Sequence, residues 1–99
     1  MKNKFGFILV KPQLGENIGA CARSMKNFGF KKLNIVSPKF IFPNHKTKVT
    51  SVGAYDIIDK TKVFNDTEKA VSEFLSDKDE YKFTVADKSH GNFCILERL

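Results

Sequence analysis

The sequence has no tryptophan, only two cysteines and only three prolines, and its longest apolar runs are far shorter than the ~20 residues of a membrane span. Cys21 and Cys94 lie far apart, without the close spacing or neighbouring histidines of a metal site, and this predicts a reduced, cytoplasmic protein that binds no metal. The apolar run at 5–10 is too short for a secretory signal and ends at Lys11-Pro12. A membrane-spanning or secreted protein is therefore not expected.

Acidic residues are almost missing from the first half of the chain. Residues 1–50 contain 10 Lys and Arg but a single acid, Glu16, for a net charge of +9. Residues 51–99 contain 7 basic and 10 acidic residues, for a net charge of −3. Nucleic acid or an anionic membrane would be attracted to the basic half. Lysine-rich surfaces also promote solubility, so charge alone leaves the partner open.

The first half predicts a strand, a helix and a second strand within a single domain of 99 residues. An apolar run at 5–10 is typical of a buried strand, and a second such run occupies 33–36. Between them, apolar and small residues recur at helical spacing, and Gly29 is placed to end the helix. The residues of this stripe are Ile18, Cys21, Ala22, Met25 and Phe28. Such a unit predicts parallel strands with a right-handed crossover.

The second half continues the alternation of helices and strands. The pattern predicts a loop at 39–48, a helical turn or two from about His45 to Gly53, a third strand at 62–64, a helix capped by Asp66-Thr67 and a fourth strand at 82–86. This order predicts an α/β fold with an open, mostly parallel sheet and helices on both faces. For residues 87–99, which include a Gly91-Asn92 turn, a tail that covers apolar surface and a disordered segment are both open interpretations.

The loop after the first strand, residues 11–19, is the chemically richest segment. Gly15 and Gly19 allow a ligand to approach the backbone, Asn17 offers a donor and an acceptor, and the helix that follows has unpaired N–H groups. Phosphate or sugar would suit such a loop, although the spacing matches neither the P-loop nor the dinucleotide fingerprint. Two structural alternatives stand beside this interpretation: Asn17 caps the helix, and Arg23 is an ordinary exposed arginine.

The string Gln13-Leu-Gly-Glu-Asn-Ile-Gly-Ala-Cys-Ala-Arg23, with the residues up to Pro38, resembles the first conserved motif of SpoU-type (TrmH-like) RNA 2′-O-methyltransferases. Its nearest subgroup is the TrmJ-type tRNA enzymes, and the resemblance covers roughly residues 5–86. It implies an α/β domain of the SPOUT class, whose C-terminal trefoil knot binds S-adenosylmethionine and whose subunits pair as homodimers.

The later family motifs have no counterpart before Leu99. We therefore expect a single truncated SPOUT-like domain at 1–99, family-like over 1–86 and divergent over 87–99, that lacks the trefoil knot. The S-adenosylmethionine site is expected to be absent from this chain, and no cofactor-binding residue is predicted.

The resemblance implies site residues in the first motif. Arg23 and Asn17 correspond to catalytic and substrate-binding positions. An arginine is a poor base because its guanidinium stays protonated, so Arg23 is better suited to stabilising an alkoxide or holding a phosphate. Four lysines would attract RNA phosphates without reading sequence: Lys11, Lys26, Lys31 and Lys32.

Two functions follow from these residues. The first is an S-adenosylmethionine-dependent ribose 2′-O-methyltransferase acting on RNA, expected to be tRNA, that is inactive as this isolated chain. The second is a non-catalytic RNA-binding or assembly module left from a truncated methyltransferase.

Overall fold

A computed structural model describes residues 4–76, 78–87 and 92–99. In chain order its elements are β1 (Phe5–Val10), α1 (Gly15–Phe28), β2 (Leu33–Val36), α2 (His45–Thr50), α3 (Tyr55–Lys60), β3 (Lys62–Phe64), α4 (Thr67–Phe74), β4 (Tyr81–Asp87) and β5 (Asn92–Arg98). The four predicted strands and the helices at α1, α2 and α4 are confirmed. The sequence pattern did not reveal α3 as a separate helix.

One five-stranded sheet contains all the strands in the order β3-β2-β1-β5-β4. The pairs β1–β2 and β2–β3 are parallel, whereas β5 is antiparallel to both β1 and β4. Four of the five strands therefore run in one direction, and the predicted open, mostly parallel sheet is confirmed.

Strand β5 resolves much of the uncertainty about residues 87–99. Its residues alternate between the two apolar layers: Phe93 and Ile95 pack on one side, and Cys94 and Leu96 on the other. This two-sided burial suits a strand inside the sheet, where β5 separates β1 from β4. Asn92–Arg98 is thus an ordered strand of the sheet rather than a disordered segment. The predicted turn at Gly91 lies outside the described residues.

Helices cover both faces of the sheet. On one face α1 and α3 bury the larger apolar cluster, whose best-buried members include Ile18, Ala22, Ile35 and Ile57. On the other face Ala70 of α4 packs into a second cluster around β1, β2 and β5. The prediction of helices on both faces is confirmed.

Three helix ends carry caps of the expected residue types, and one residue of the predicted apolar stripe is not buried. Gly29 ends α1 in a left-handed conformation with φ of 79°. The Asn44 side chain caps α2, and the Asp66 side chain caps α4 by accepting from the Lys69 amide at 2.8 Å. The unburied residue is Phe28, whose place in the apolar stripe predicts a packed side chain. Its position at the last residue of α1 leaves it 70% exposed.

Candidate functional site

The loop between β1 and α1 lies at the carboxyl edge of the parallel strands. Lys11, directly after β1, turns the chain with a left-handed φ of 53°. Its amide donates to the Val36 carbonyl at 2.7 Å, and the Lys39 amide donates to the Pro12 carbonyl at 3.0 Å. Backbone hydrogen bonds to the loop after β2 therefore hold this segment in place and fix the point where α1 begins.

Gly15 and Gly19 serve helix packing rather than ligand approach. A methyl group at Gly15 would overlap the Asn44 side chain, and one at Gly19 would overlap the Thr50 hydroxyl and come within 2.8 Å of the Thr47 carbonyl oxygen. The space that the sequence assigned to a ligand is filled by α2. The close packing against α2 accounts for both glycines without a ligand.

Asn17 does not cap the helix. The N-cap residue of α1 is Leu14, which makes no side-chain cap, and Asn17 is the third residue of the helix. Its Nδ2 atom is buried and has no hydrogen-bond partner among the described residues. A buried donor without an acceptor costs about 1–3 kcal/mol, so such an atom marks a place where a ligand can supply the acceptor.

The Asn17 side chain lines a cavity of about 410 Å³ between α1 and the sheet, here called the α1 cavity. The remaining lining residues are Phe7, Leu9, Ala20, Cys21, Ser24, Met25, Phe28, Phe30 and Phe93. Phe7 stacks on Phe93 with ring centroids 5.6 Å apart and contacts the Phe30 ring at 5.1 Å. The walls are therefore mainly aromatic and aliphatic.

The α1 cavity is electrically neutral. Burial raises the pKa of the Cys21 thiol to about 12, so this thiol stays protonated near pH 7. Among the described residues, no acidic side chain lines the cavity. S-adenosylmethionine carries a positive sulfonium and an ammonium group, and neither would find a counter-charge here. These residues therefore do not fit that cofactor.

Arg23 lies on a different side of α1. At about 100° per residue, the six residues from Asn17 turn the helix until the two side chains point about 120° apart. Arg23 is exposed, does not line the α1 cavity, and makes no hydrogen bond or ion pair with any described residue. The structure thus does not bring the two motif residues together at one point.

The four predicted phosphate-binding lysines are spread over the surface. Lys11 lies at the carboxyl edge of β1, whereas Lys31 and Lys32 precede β2 at the opposite edge, about 16 Å away at the rise of a strand. The Lys26 ammonium is held by Asp56 at 2.7 Å. That hydrogen bond lowers the pKa of the Asp56 carboxyl. These lysines cannot contact one phosphate, but they can contact several along an RNA strand.

A second cavity, of about 600 Å³, was not foreseen from the sequence. It is here called the α3 cavity, and its lining residues are Phe42, Pro43, Lys48, Tyr55, Ile58, Asp59, Thr61 and Val63. These residues come from the loop before α2, from α2 and α3, and from β3. In the sequence, the aromatic residues Phe42 and Tyr55 on either side of Lys48 are the signal that could have indicated it.

Two further kinds of feature are absent from the described part of the chain. Within it, no helix combines the length and hydrophobicity needed to cross a bilayer. Nor do three or more His, Cys, Asp or Glu side chains gather there in a way that would hold a metal ion.

Residues 4–95 match the sequence model of the SpoU rRNA Methylase family. The chain belongs to this family. It is 39% identical over 66 residues to the tRNA (cytidine-2′-O-)-methyltransferase TrmJ of Methanocaldococcus jannaschii, an alignment of 67% of this chain and 28% of that protein. It is 46% identical over 80 residues to the uncharacterized tRNA/rRNA methyltransferase LasT of Escherichia coli, an alignment of 80% of this chain and 31% of that protein.

Solved structures of methyltransferases have a similar fold. The fold is similar to TrmJ from Z. mobilis with a TM-score of 0.64 and 43% identity, over 66% of this chain and 29% of that one. A probable methyltransferase from Bordetella pertussis matches with a TM-score of 0.63 and 28% identity, over 66% of this chain and 40% of that one. The chain thus spans about three-tenths of the length of the curated relatives it matches.

Proposed function

We propose that this SpoU-family chain forms the RNA-facing part of an S-adenosylmethionine-dependent ribose 2′-O-methyltransferase that acts on tRNA. Family membership supports the reaction class, and the tRNA and rRNA methyltransferases among its relatives support the RNA substrate. The intact enzyme is proposed to be a homodimer, as the family resemblance implies, and to be cytoplasmic, in keeping with its two well-separated cysteines.

The proposal rests on the exposure of Arg23 and on its lack of an ion-pair partner among the described residues. Its guanidinium is exposed and makes no ion pair with the described residues, although it lies on the motif helix. From residue 17 to residue 55 the sequence contains no acid. An exposed arginine within an acid-free stretch of sequence attracts a polyanion, and its fork of N–H donors suits a phosphate or a developing alkoxide. Arg23 is therefore proposed to hold the reacting ribose-phosphate unit, with no role as a base.

Asn17 is proposed to contact the RNA independently of Arg23. Because it points about 120° away from Arg23, it cannot orient the guanidinium directly. Asn17 lines the α1 cavity, and its buried amide donor lacks an acceptor among the described residues. The proposed partner is a carbonyl or hydroxyl oxygen of the RNA.

The isolated 99-residue chain is proposed to bind RNA without transferring methyl groups. Support comes from the α1 cavity, which adjoins the motif but lacks an acidic side chain to pair with the cofactor. No step of the reaction is assigned to a methyl donor bound by these residues.

A non-catalytic RNA-binding or assembly module is the second candidate. The separation of Asn17 and Arg23 favours it, because α1 alone does not assemble a reaction centre from its two motif residues. The same basic surface would then hold RNA as part of a larger assembly.

Calorimetric titration of the purified chain with S-adenosylmethionine, and in parallel with S-adenosylhomocysteine, tests the proposal. We expect no saturable heat with either compound, no transfer of tritiated methyl groups to tRNA, and retention of tRNA on a filter. Saturable binding and turnover would show that the chain builds its own cofactor site. Failure to retain tRNA would reject RNA as the substrate.

A further inference from the structure

We propose that the α3 cavity binds one unstacked nucleotide of a single-stranded RNA segment. This inference rests on the proposed function, since it requires RNA to be the ligand of the chain. It adds a contact site at a distance from the family motif, on residues that neither the motif nor the comparisons assign.

The shape and walls of the α3 cavity suit a nucleobase. Its volume of about 600 Å³ lies within the usual range for sites that enclose small organic groups. Tyr55, the first residue of α3, lines the cavity and is 48% exposed, so its ring is accessible to a base. The Phe42 ring lines the cavity from the loop before α2. Stacking on such rings is how proteins hold unpaired bases.

The polar groups match the rest of a nucleotide. Lys48 lies in the last turn of α2 and makes no ion pair with any described residue, so its ammonium can contact a phosphate. The Asp59 carboxylate lines the same cavity and can accept from the exocyclic amine of a base. One aromatic wall, one cation and one acceptor therefore converge in one cavity.

Charge over the surrounding chain favours RNA as the occupant. The acid-free stretch from residue 17 to residue 55 contains seven Lys and Arg residues. Three residues of this stretch, Phe42, Lys48 and Tyr55, line the α3 cavity. A base paired in a duplex presents no open face for stacking, so a single strand is the expected form.

The tyrosine content provides a direct probe. The chain has two tyrosines and no tryptophan, so a Tyr81→Phe variant reports the fluorescence of Tyr55 alone. Tyr81 is a suitable residue to replace because it lies in the edge strand β4, away from the cavity. Titration uses a 12-nucleotide single-stranded RNA, with the duplex of the same sequence as a second arm. RNA binding is followed independently by the anisotropy of a dye on the RNA.

We expect the single strand to quench Tyr55 fluorescence at the concentrations where anisotropy rises, and the duplex to quench it far less. Lys48→Gln should weaken single-strand binding about fivefold and lower the dependence of log affinity on log salt by about one. Lys60→Gln is the matched control, because Lys60 is exposed at the end of α3 and does not line the cavity. This control should change binding less than Lys48→Gln does.

RNA binding with unquenched Tyr55, and with Lys48→Gln equal to Lys60→Gln, would overturn the inference while leaving the proposed function intact. Absence of RNA binding by the unmodified chain would instead overturn the proposed function, and the inference with it. Equal quenching by duplex and single strand would contradict the unstacked nucleotide.

Discussion

The backbone of Gly19 lies against the hydroxyl of Thr50, so closely that a methyl group on Gly19 would overlap it. This contact packs α1 directly against α2 through the family motif. The Thr50 hydroxyl in turn donates to the Lys46 carbonyl at 2.7 Å, which limits its freedom to move aside. Helix packing therefore explains why the motif has a glycine at position 19, independently of any ligand.

Gly19→Ala should destabilise the fold, although alanine is normally the better helix former by about 1 kcal/mol. The added methyl has to displace Thr50 and the Thr47 carbonyl, and overpacking of this kind costs about 1–3 kcal/mol. Urea unfolding measures the change. Asn27→Ala, on the exposed face of the same helix, is the control and should change stability little. A urea midpoint for Gly19→Ala equal to or higher than that of the unmodified chain would contradict this explanation of Gly19.

Asn17→Leu should have opposite effects on stability and binding. Leucine removes the buried Nδ2 donor that has no partner among the described residues and keeps the same branched shape, with the adjoining α1 cavity to take its larger methyl groups, so stability should rise by about 1 kcal/mol. RNA binding should weaken because the donor offered to the RNA is lost. Urea unfolding and filter binding measure the two effects. A destabilised variant with unchanged RNA binding would show that Asn17 is a purely structural residue.

Asp56→Asn should strengthen RNA binding. Asp56 holds the Lys26 ammonium at 2.7 Å on the surface, where each side chain of the pair is 49% exposed. Without the carboxylate, Lys26 can turn to a phosphate, and at low salt the affinity should rise about threefold. Glu80→Gln removes the same charge, and Glu80 pairs with no lysine among the described residues, so it is the matched control. Equal gains from the two variants, measured by anisotropy, would show that only net charge matters.

Stability should fall in acid, and two surface pairs contribute. Hydrogen bonds from Lys26 and Lys62 lower the pKa of Asp56 and of Glu73 in the folded state. The unfolded chain therefore binds protons more readily, so the stabilisation is present above about pH 4 and is lost as pH falls through the folded pKa values.

Urea midpoints at pH 6 and pH 3 test this. The double variant Asp56→Asn, Glu73→Gln should lose less stability over that interval than the unmodified chain. A control double variant, Asp59→Asn, Glu80→Gln, replaces carboxylates that accept no hydrogen bond from the described residues. An equal pH dependence for all three proteins would contradict the contribution of the pairs.

Local patterns were enough to predict most of the fold. The apolar runs of β1 and β2, and the helical stripe of α1 with Gly29 at its end, are encoded within short stretches. The helix α3 was missed because it is only six residues long and follows α2 closely. The position of β5 was missed because its partner β1 lies near the other end of the chain, and no local signal reports that pairing.

The candidate site was only partly predictable for the same reason. The six-residue separation of Asn17 and Arg23 on one helix is enough to set the two side chains on different sides of it. The α1 cavity, however, arises where Phe7 of β1, Phe30 and Phe93 of β5 meet beside the helix, and three distant segments create it. The role of Gly19 depended on α2, which follows by more than 25 residues. Such contacts are set by tertiary packing rather than by any one motif.

Salt-dependent RNA binding by Arg23→Ala tests the central claim most directly. The anisotropy of a labelled tRNA is measured against the unmodified chain, Arg23→Ala and the equally charged control Lys60→Ala at several salt concentrations. Because Arg23 is exposed, its replacement should change stability by less than about 0.5 kcal/mol, so lost binding can be assigned to the side chain. The account predicts about tenfold weaker binding by Arg23→Ala alone, with a salt slope lower by about one. Equal affinity and slope for the two variants would contradict it.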